Sequence, residues 1–287
     1  MKAIYKKEVK SYLTSMIGYV FIFFILLLEG IYFTAYNLQN AYPLFGTTLS
    51  AVTFIFLILV PVLTMKTIAE ERKQKTDQLL LTAPVSVSEI VLGKFLAVAT
   101  VYAIPVLIIC LYPMIMGKYG TVSYAMAYTA VLGFALLGFA QIAVGVFWSS
   151  VTENPVIAAV VTFIVLFVCY MITGIGSLIP DSSMASLACY MLLVLLAAVW
   201  IYHMIRNLWI AAVIGIAGEA AFAITYVVKS TLFEGSIQKF LSVFDITSHF
   251  DNFTNGILDL QGVVYFLSVI IIFLVLTVQT ITKRRWN

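Results

Sequence analysis

The 287-residue sequence is 63% hydrophobic and only 10% charged, with a mean hydropathy of +1.08. Soluble domains carry about 25% charged and about 45–50% apolar residues, so the composition excludes a water-soluble globule and predicts an all-α polytopic membrane protein. The net charge of +3 is too small to indicate a nucleic-acid partner. The cysteines Cys110, Cys169 and Cys189 lie singly in apolar runs, so we expect packing residues and no metal site.

The first fifteen residues, Met1 to Ser15, have the pattern of a short helix that lies in the membrane interface. Apolar side chains recur on one helical face, and lysines fall largely on the other. The apolar set is Ile4, Tyr5, Val9, Tyr12 and Leu13, and the basic set is Lys2, Lys6, Lys7 and Lys10. The alternative is a frayed basic leader.

A hydrocarbon core of about 30 Å requires about 20 apolar residues of helix. Eight windows of the sequence qualify as membrane spans: 17–37, 47–65, 90–116, 124–148, 155–179, 185–203, 208–228 and 261–281. We find no long internal repeat and no low-complexity linker, so we expect residues 1–287 to form one domain. The tight turn at 203–207 is the weakest feature, and without a full crossing by its two flanking windows the count becomes six.

The lysines and arginines predict the orientation, because cytoplasmic loops carry an excess of both. Eight crossings place both termini and the 66–94 loop on one side of the membrane. That side holds Lys2, Lys6, Lys7, Lys10, Lys66, Arg72, Lys73, Lys75, Lys94, Arg206, Lys283, Arg284 and Arg285. The opposite side holds only Lys118, Lys229 and Lys239, so we expect both termini and the loop to be cytoplasmic.

The 66–94 loop is the longest polar interruption in the first two thirds of the chain. The second span is expected to continue past the membrane through Glu70, Glu71 and Arg72. Thr76 is placed to cap a short helix with Asp77 in its first turn. Leu79, Leu80 and Leu81 give this helix an apolar side, Pro84 ends it, and Ser86 to Glu89 form a capping box that starts the third span. We interpret the loop as a contact surface for a cytosolic partner; the alternative is an ordinary solvated loop.

Glu29 and Glu219 are the acidic residues expected deep in the hydrocarbon, and Gln141 is a further intramembrane polar candidate. A charge at the bilayer centre costs about 2.5–3.5 kcal/mol, so such groups usually face the bundle interior. Two interpretations stay open. The glutamates either line a polar path for substrate or protons, or are protonated and hydrogen-bonded to a neighbouring helix. The Ala/Gly-rich surroundings of Glu219 favour packing there.

The segment 229–261 is the longest one expected outside the membrane on the opposite side. Phe233, Ile237, Phe240, Leu241 and Phe244 recur at helical spacing in it, which predicts an amphipathic helix on the outer leaflet. Gly256 is a predicted break.

Three stretches carry a resemblance to a known family: Ala69 to Ser86 followed by Glu89 to Lys94, then Lys6 to Tyr19, and Phe250 to Leu260. Together they resemble type-2 ABC export permeases, and most closely the branch similar to the gliding-motility permease subunit. The family core has six spans, and the additional hydrophobic pair around 185–228 departs from it.

The resemblance implies a permease subunit that pairs with a second permease copy or homologue and sits on two ABC ATPase subunits. Residues Glu70 to Pro84 would form the coupling helix, and residues 1–15 the interfacial connecting helix. The resemblance assigns ATPase coupling to Glu70, Glu71, Arg72, Thr76, Asp77, Leu79, Leu80, Pro84, Glu89, Gly93 and Lys94. An accessory extracytoplasmic subunit and membrane lipid are further expected partners, in the cell membrane.

The sequence contains no G-x-x-x-x-G-K-[ST] phosphate loop, so ATP and Mg are expected in the partner ATPase and no cofactor or catalytic centre in this chain. The first functional hypothesis is therefore an ABC exporter permease that works by alternating access. The second is a proton-coupled secondary transporter that uses Glu29 and Glu219. The third is a non-transporting membrane anchor or an intramembrane enzyme.

Overall fold

The computed structural model describes residues 1–77, 85–205 and 207–285. All regular secondary structure in these ranges is helical, which confirms the all-α prediction. Two compact units are present: unit 1 contains residues 1–168 and 246–287, and unit 2 contains residues 169–245. The expectation of a single domain stays a prediction.

Unit 1 begins with the predicted interfacial segment, which is a helix. Its elements are α1 (Lys2–Thr14), α2 (Met16–Tyr32) with a π-helix (Phe33–Gln39), α3 (Phe45–Val52), a 3-10 turn (Thr53–Ile55), α4 (Phe56–Thr64), α5 (Ala69–Lys73), α6 (Val87–Ile109), α7 (Tyr112–Met116) and α8 (Tyr124–Val151). After unit 2, the chain returns through a 3-10 turn (Ser248–Phe250), α13 (Asp251–Thr254) and α14 (Leu260–Arg285).

The helix α9 (Pro155–Ser177) leads from unit 1 into unit 2. Unit 2 continues with α10 (Ser183–Ile205), α11 (Leu208–Val228), a 3-10 turn (Ser230–Phe233) and α12 (Ser236–Ser242).

Six helical segments are long and apolar enough to cross a membrane. They are Met16–Gln39, Phe45–Lys73, Val87–Met116, Tyr124–Val151, Pro155–Ser177 and Leu260–Arg284. A seventh crossing is added if Ala212–Val228 and Ser230–Ser242, which meet at a bend of 118°, are counted as one span.

The expected count of eight differs from these six or seven segments of the described chain in the windows 185–203 and 208–228. Two helices, α10 with 23 residues and α11 with 21 residues, cover these windows. At 1.5 Å per residue each is at least as long as a hydrocarbon core of about 30 Å, so the two additional crossings stay a prediction.

The core of unit 1 is aromatic and closely packed. The Tyr102 ring lies edge-on to Phe21 and Phe56, and its hydroxyl donates a hydrogen bond to the Phe134 carbonyl oxygen at 2.7 Å. A Cβ at Gly138 would lie 2.2 Å from the Tyr102 ring, so glycine is required for α6 and α8 to approach this closely.

Small residues also bring the two helices of the unit 2 hairpin together. A Cβ added at Gly215 would lie 3.2 Å from the Ala198 Cβ, and one added at Gly218 would lie 2.9 Å from Val194. This supports the interpretation that the Ala/Gly-rich face of α11 serves helix packing.

A helix is found in the predicted amphipathic segment as α12, shorter than the periodicity indicated, and its place on the outer leaflet stays a prediction. Ile237 and Phe233 are buried, whereas Phe240 and Phe244 are exposed. The predicted break at Gly256 is confirmed, because this residue has a φ of 77° two residues after α13 ends.

Candidate functional site

The 66–94 segment leaves the membrane bundle through α5, a five-residue helix that is separated from the end of α4 by four residues. Glu70 and Glu71 lie in its first turn, and Arg72 and Lys73 lie in its last turn. This order of charges stabilises the helix dipole at both ends. The second span does continue past α4 through Glu70, Glu71 and Arg72, as expected from the sequence.

Lys94 is the most deeply buried cation of this region, with 2% of its surface exposed. Its Nζ lies 3.1 Å from Glu8 Oε1, 2.9 Å from Glu71 Oε2 and 2.7 Å from the Thr67 carbonyl oxygen. An ammonium group has three donors, and here each one has an acceptor. Lys7 Nζ lies 3.3 Å from Glu71 Oε1 at the exposed edge. We call Lys7, Glu8, Glu71 and Lys94 the Lys94 cluster.

The Lys94 cluster joins three elements that are far apart in sequence. Glu8 belongs to α1, Glu71 to α5 and Lys94 to α6. The sequence predicted Glu71 and Lys94 as functional residues, and the structure brings them together. It did not predict Glu8, although Glu8 is the only acidic residue among the first fifteen and stands one helical turn before Tyr12.

Tyr12 reinforces the junction between α1 and the second span. Its hydroxyl lies 3.1 Å from the Leu63 carbonyl oxygen, to which it donates, and 3.0 Å from Thr67 Oγ1. Burial raises the pKa of the Tyr12 phenol well above its ordinary value, so the group stays a neutral hydrogen-bonding partner. A Cβ at Gly18 would lie 2.3 Å from the Tyr12 carbonyl oxygen, so glycine is required where α2 passes α1.

Arg72 carries the second set of contacts of α5. Its buried guanidinium donates to the carbonyl oxygens of Ser150 and Thr152, the latter at 3.2 Å. Glu153 follows α8 and pairs with both Arg72, at 3.8 Å, and Arg284 near the end of α14. We call Arg72, Glu153 and Arg284 the Arg72 cluster.

Ser149 of α8 provides the start of α5 with hydrogen bonds. Its hydroxyl accepts from the backbone N–H groups of Ile68 at 3.0 Å and Ala69 at 3.1 Å, and donates to the Met65 carbonyl oxygen at 3.1 Å. The first N–H groups of a helix have no intrahelical partner, so Ser149 acts as a cap supplied by another helix. No local pattern in the sequence indicates this role, because the two sites are about 80 residues apart.

The other predicted coupling residues have local roles in the described structure. Glu70 pairs with Lys66 at 3.5 Å and accepts from the Gln74 amide at 3.1 Å. Thr76 donates to the Glu71 carbonyl oxygen at 3.3 Å. Asp77 lines a cavity of about 30 Å³ that Arg72, Lys94 and Arg284 also line.

The capping box that starts the third span is confirmed. Ser86 Oγ accepts from the Glu89 N–H at 3.3 Å, and the Glu89 carboxylate accepts from the Ser86 N–H at 3.4 Å. At Gly93 an added Cβ would lie 3.3 Å from the Ile4 side chain, so glycine lets α1 lie close to α6. The predicted helix at 76–82, with Leu79, Leu80 and Pro84, falls largely on residues 78–84, which lie outside the described residues.

The intramembrane polar residues occupy three different environments. Glu29 is fully buried, and neither carboxylate oxygen has a hydrogen-bond partner among the described residues; Tyr102 and Tyr112 lie within electrostatic range. Gln141 is also buried, and its Oε1 has no hydrogen-bond partner among the described residues. Glu219 is half-buried and lines a cavity of about 290 Å³ between α10 and α11. One of the two interpretations of these glutamates is a protonated carboxyl that is hydrogen-bonded to a neighbouring helix. Among the described residues, no such hydrogen bond is found for Glu29.

No group of three or more His, Cys, Asp or Glu residues that could hold a metal ion occurs in the described ranges. The described contacts do not form a catalytic constellation. They join the short helix α5 to α1, to α6 and, at their last residues, to α8 and α14 by buried charge and backbone hydrogen bonds.

The fold and these contacts define a polytopic α-helical membrane protein with a short polar helix fixed at one end of its bundle. The model of the ABC-2 family transporter proteins matches residues 2–284 of the chain, so this protein belongs to the ABC-2 transporter family. Searches of curated proteins and of solved structures found no match.

Proposed function

We propose that this chain is the permease subunit of an ABC exporter, in the branch similar to the gliding-motility permease, and moves its substrate across the cell membrane by alternating access. Membership of the ABC-2 family supports this proposal, which assigns ATP and Mg to two partner ATPase subunits on a permease pair. Both termini and the 66–94 loop face the cytoplasm, which agrees with the distribution of basic residues.

The observation that carries the proposal is the fixation of α5. The Lys94 cluster ties α5 to α1 and α6, and the Arg72 cluster ties it to the ends of α8 and α14. An ATPase that pushes on residues 70–84 therefore displaces a helix that cannot move alone. The displacement of α5 is transmitted to the membrane helices, because packed interfaces shift between discrete arrangements rather than deform continuously.

The Leu80→Asp variant tests the coupling. Leu80 lies outside the described residues, and its assignment comes from the apolar side of the sequence-predicted helix. In the assembled complex we expect this charge to abolish stimulation of the ATPase by the permease, while membrane insertion is unchanged. The matched control is Leu232→Asp, an exposed leucine in a segment that this topology places outside. ATPase stimulation by Leu80→Asp equal to that of the unmodified complex would contradict the proposal.

The second candidate is proton-coupled secondary transport through Glu29 and Glu219. It is favoured by the two unpartnered, buried carboxylate oxygens of Glu29, since such groups within a membrane span often mark a proton or ion path. The isolated chain in sealed vesicles separates the two functions. Proton flux driven by a pH gradient without ATP supports this second candidate, and its absence supports the exporter.

A further inference from the structure

A polar cavity of about 310 Å³ lies between α1 and the segment that connects α4 to α5. We call it the α1–α5 cavity. Its lining includes the Lys94 cluster, Lys66, Glu70 and Gln74, together with Ile17 at the start of α2. The contacts of Lys94 described above lie on the buried side of this lining, and the open side carries the partly exposed pairs Lys7–Glu71 and Lys66–Glu70.

The charges of the α1–α5 cavity balance. Lys7, Lys66 and Lys94 face Glu8, Glu70 and Glu71, so the lining has no net charge. Lys94 is saturated by its three acceptors. The two lysines at the rim are different: the Lys7 side chain is 67% exposed and the Lys66 side chain is 46% exposed. Each has three donors and long carboxylate contacts of 3.3 and 3.5 Å, so each can also bind a ligand oxygen.

Acceptors for a cationic group lie on the α5 side of the same cavity. The Glu70 side chain is 34% exposed, and the Gln74 amide donates to it at 3.1 Å, which leaves the Gln74 carbonyl oxygen as an additional acceptor. The lining therefore presents donors for an anion and acceptors for an ammonium group. A zwitterion with both groups matches a neutral lining better than a ligand of one charge does.

An apolar path leaves the α1–α5 cavity along α2. Ile17 belongs to the lining, and its neighbours Met16 and Tyr19 are 80% and 61% exposed. These residues begin the first membrane span. A ligand with a zwitterionic head and acyl chains would place its chains along this face, where they stay in contact with the hydrocarbon.

We propose that the α1–α5 cavity binds the headgroup of an ethanolamine phospholipid of the inner leaflet. Lys7 and Lys66 donate to the phosphate oxygens, and Glu70 and Gln74 accept from the primary ammonium. The cavity lies at the cytoplasmic membrane surface in this assignment, which rests on the topology of the proposed function. A bound lipid would fill the gap between α1 and α5 and hold both at one depth.

Headgroup chemistry predicts an order of binding. A choline headgroup has no N–H donor for Glu70, and a glycerol headgroup has no ammonium, so the phosphate charge stays uncompensated. We therefore expect phosphatidylethanolamine to bind more tightly than phosphatidylcholine or phosphatidylglycerol with the same acyl chains. Tighter binding of phosphatidylglycerol would overturn the proposal.

The experiment is native mass spectrometry of the purified full-length chain in detergent, titrated with each of the three lipids. The variant Lys66→Ala should weaken phosphatidylethanolamine binding about fivefold, as expected for one exposed charged contact, and should weaken the other two lipids as well, because all three carry the phosphate. The control Lys73→Ala removes an exposed lysine at the end of α5 that does not line the cavity, and should change nothing. Equal effects of the two variants would overturn the proposal.

Two further arms identify the occupant. Soluble glycerophosphoethanolamine should fail to displace the lipid at equal concentration, because it lacks the acyl chains; efficient displacement would overturn the lipid assignment. Displacement of the lipid by added ATPase subunit would show that the cavity is a binding site for that subunit, and would overturn the lipid assignment. The ATPase stimulation assay on the same variants is independent, so a failed exporter assignment can be told apart from a failed lipid site.

Discussion

At the scale of single residues, one buried lysine joins three helices. Lys94 has only 2% of its surface exposed, and its ammonium group lies against two carboxylates and a carbonyl oxygen. A buried ion pair is a weak source of net stability, but the loss of one partner leaves an uncompensated charge. Lys94 is therefore expected to fix how α1, α5 and α6 are arranged more than to increase stability.

Lys94→Met should destabilise the protein by about 3–5 kcal/mol, because Glu8 and Glu71 would remain close together without their cation. The free energy of unfolding in mixed micelles measures this loss. The double variant Glu8→Gln with Lys94→Met should recover part of it, since one of the two stranded charges is removed. Additive losses in the double variant would show that the two residues do not interact.

Gly18→Ala should cost about 1–3 kcal/mol, because the new Cβ would lie 2.3 Å from a backbone oxygen of α1 and force the helices apart. Gly174→Ala is the matched control, since it is also a helical glycine but has no atom within 4 Å of its added Cβ. The control should be neutral or stabilising by up to about 1 kcal/mol. Thermal unfolding of both variants in one detergent tests the difference, and equal losses would contradict the close approach.

At the scale of elements, α5 is too short to be stable alone, because isolated helices of fewer than about 12–15 residues are marginal in water. Its five residues are held by Ser149 at the start and by Lys94 and Arg72 contacts along its length. The stability of α5 therefore comes from its contacts with the bundle. A change in the bundle's conformation is expected to change the position of α5.

Ser149→Ala should raise the rate of amide hydrogen exchange in residues 68–73 and cost about 1–3 kcal/mol, because two buried N–H groups lose their acceptor. The neighbouring Ser150 is equally buried, but its hydroxyl donates only to the Phe147 carbonyl oxygen of its own helix. Ser150→Ala should therefore leave exchange at α5 unchanged. Equal protection of α5 in both variants would show that Ser149 does not hold it.

The sequence predicted the features that depend on neighbours along the chain. The capping box at Ser86 and Glu89 and the break at Gly256 each follow from a few adjacent residues. Glu8, Ser149 and Glu153 escaped prediction because the partners that hold them are 80 or more positions away and only the packing brings them together.

At the scale of the whole molecule, membership of the ABC-2 family and the fixation of α5 lead to one account. Under the proposed function, force from a partner ATPase enters through residues 70–84, and the Lys94 cluster is expected to make α1, α5 and α6 respond together. If this coupling operates, nucleotide binding changes the distance between the two ends of the bundle and leaves the distances inside the Lys94 cluster unchanged.

Pulsed electron paramagnetic resonance on the assembled complex measures both distances. Spin labels replace Lys10 of α1 and Lys73 of α5, or Lys73 and Lys118, in a chain whose three cysteines are changed to alanine. Between the nucleotide-free and vanadate-trapped states, we predict one unchanged distance for the Lys10–Lys73 pair and a shifted distance for the Lys73–Lys118 pair. A Lys10–Lys73 distance that changes with nucleotide would contradict the central claim.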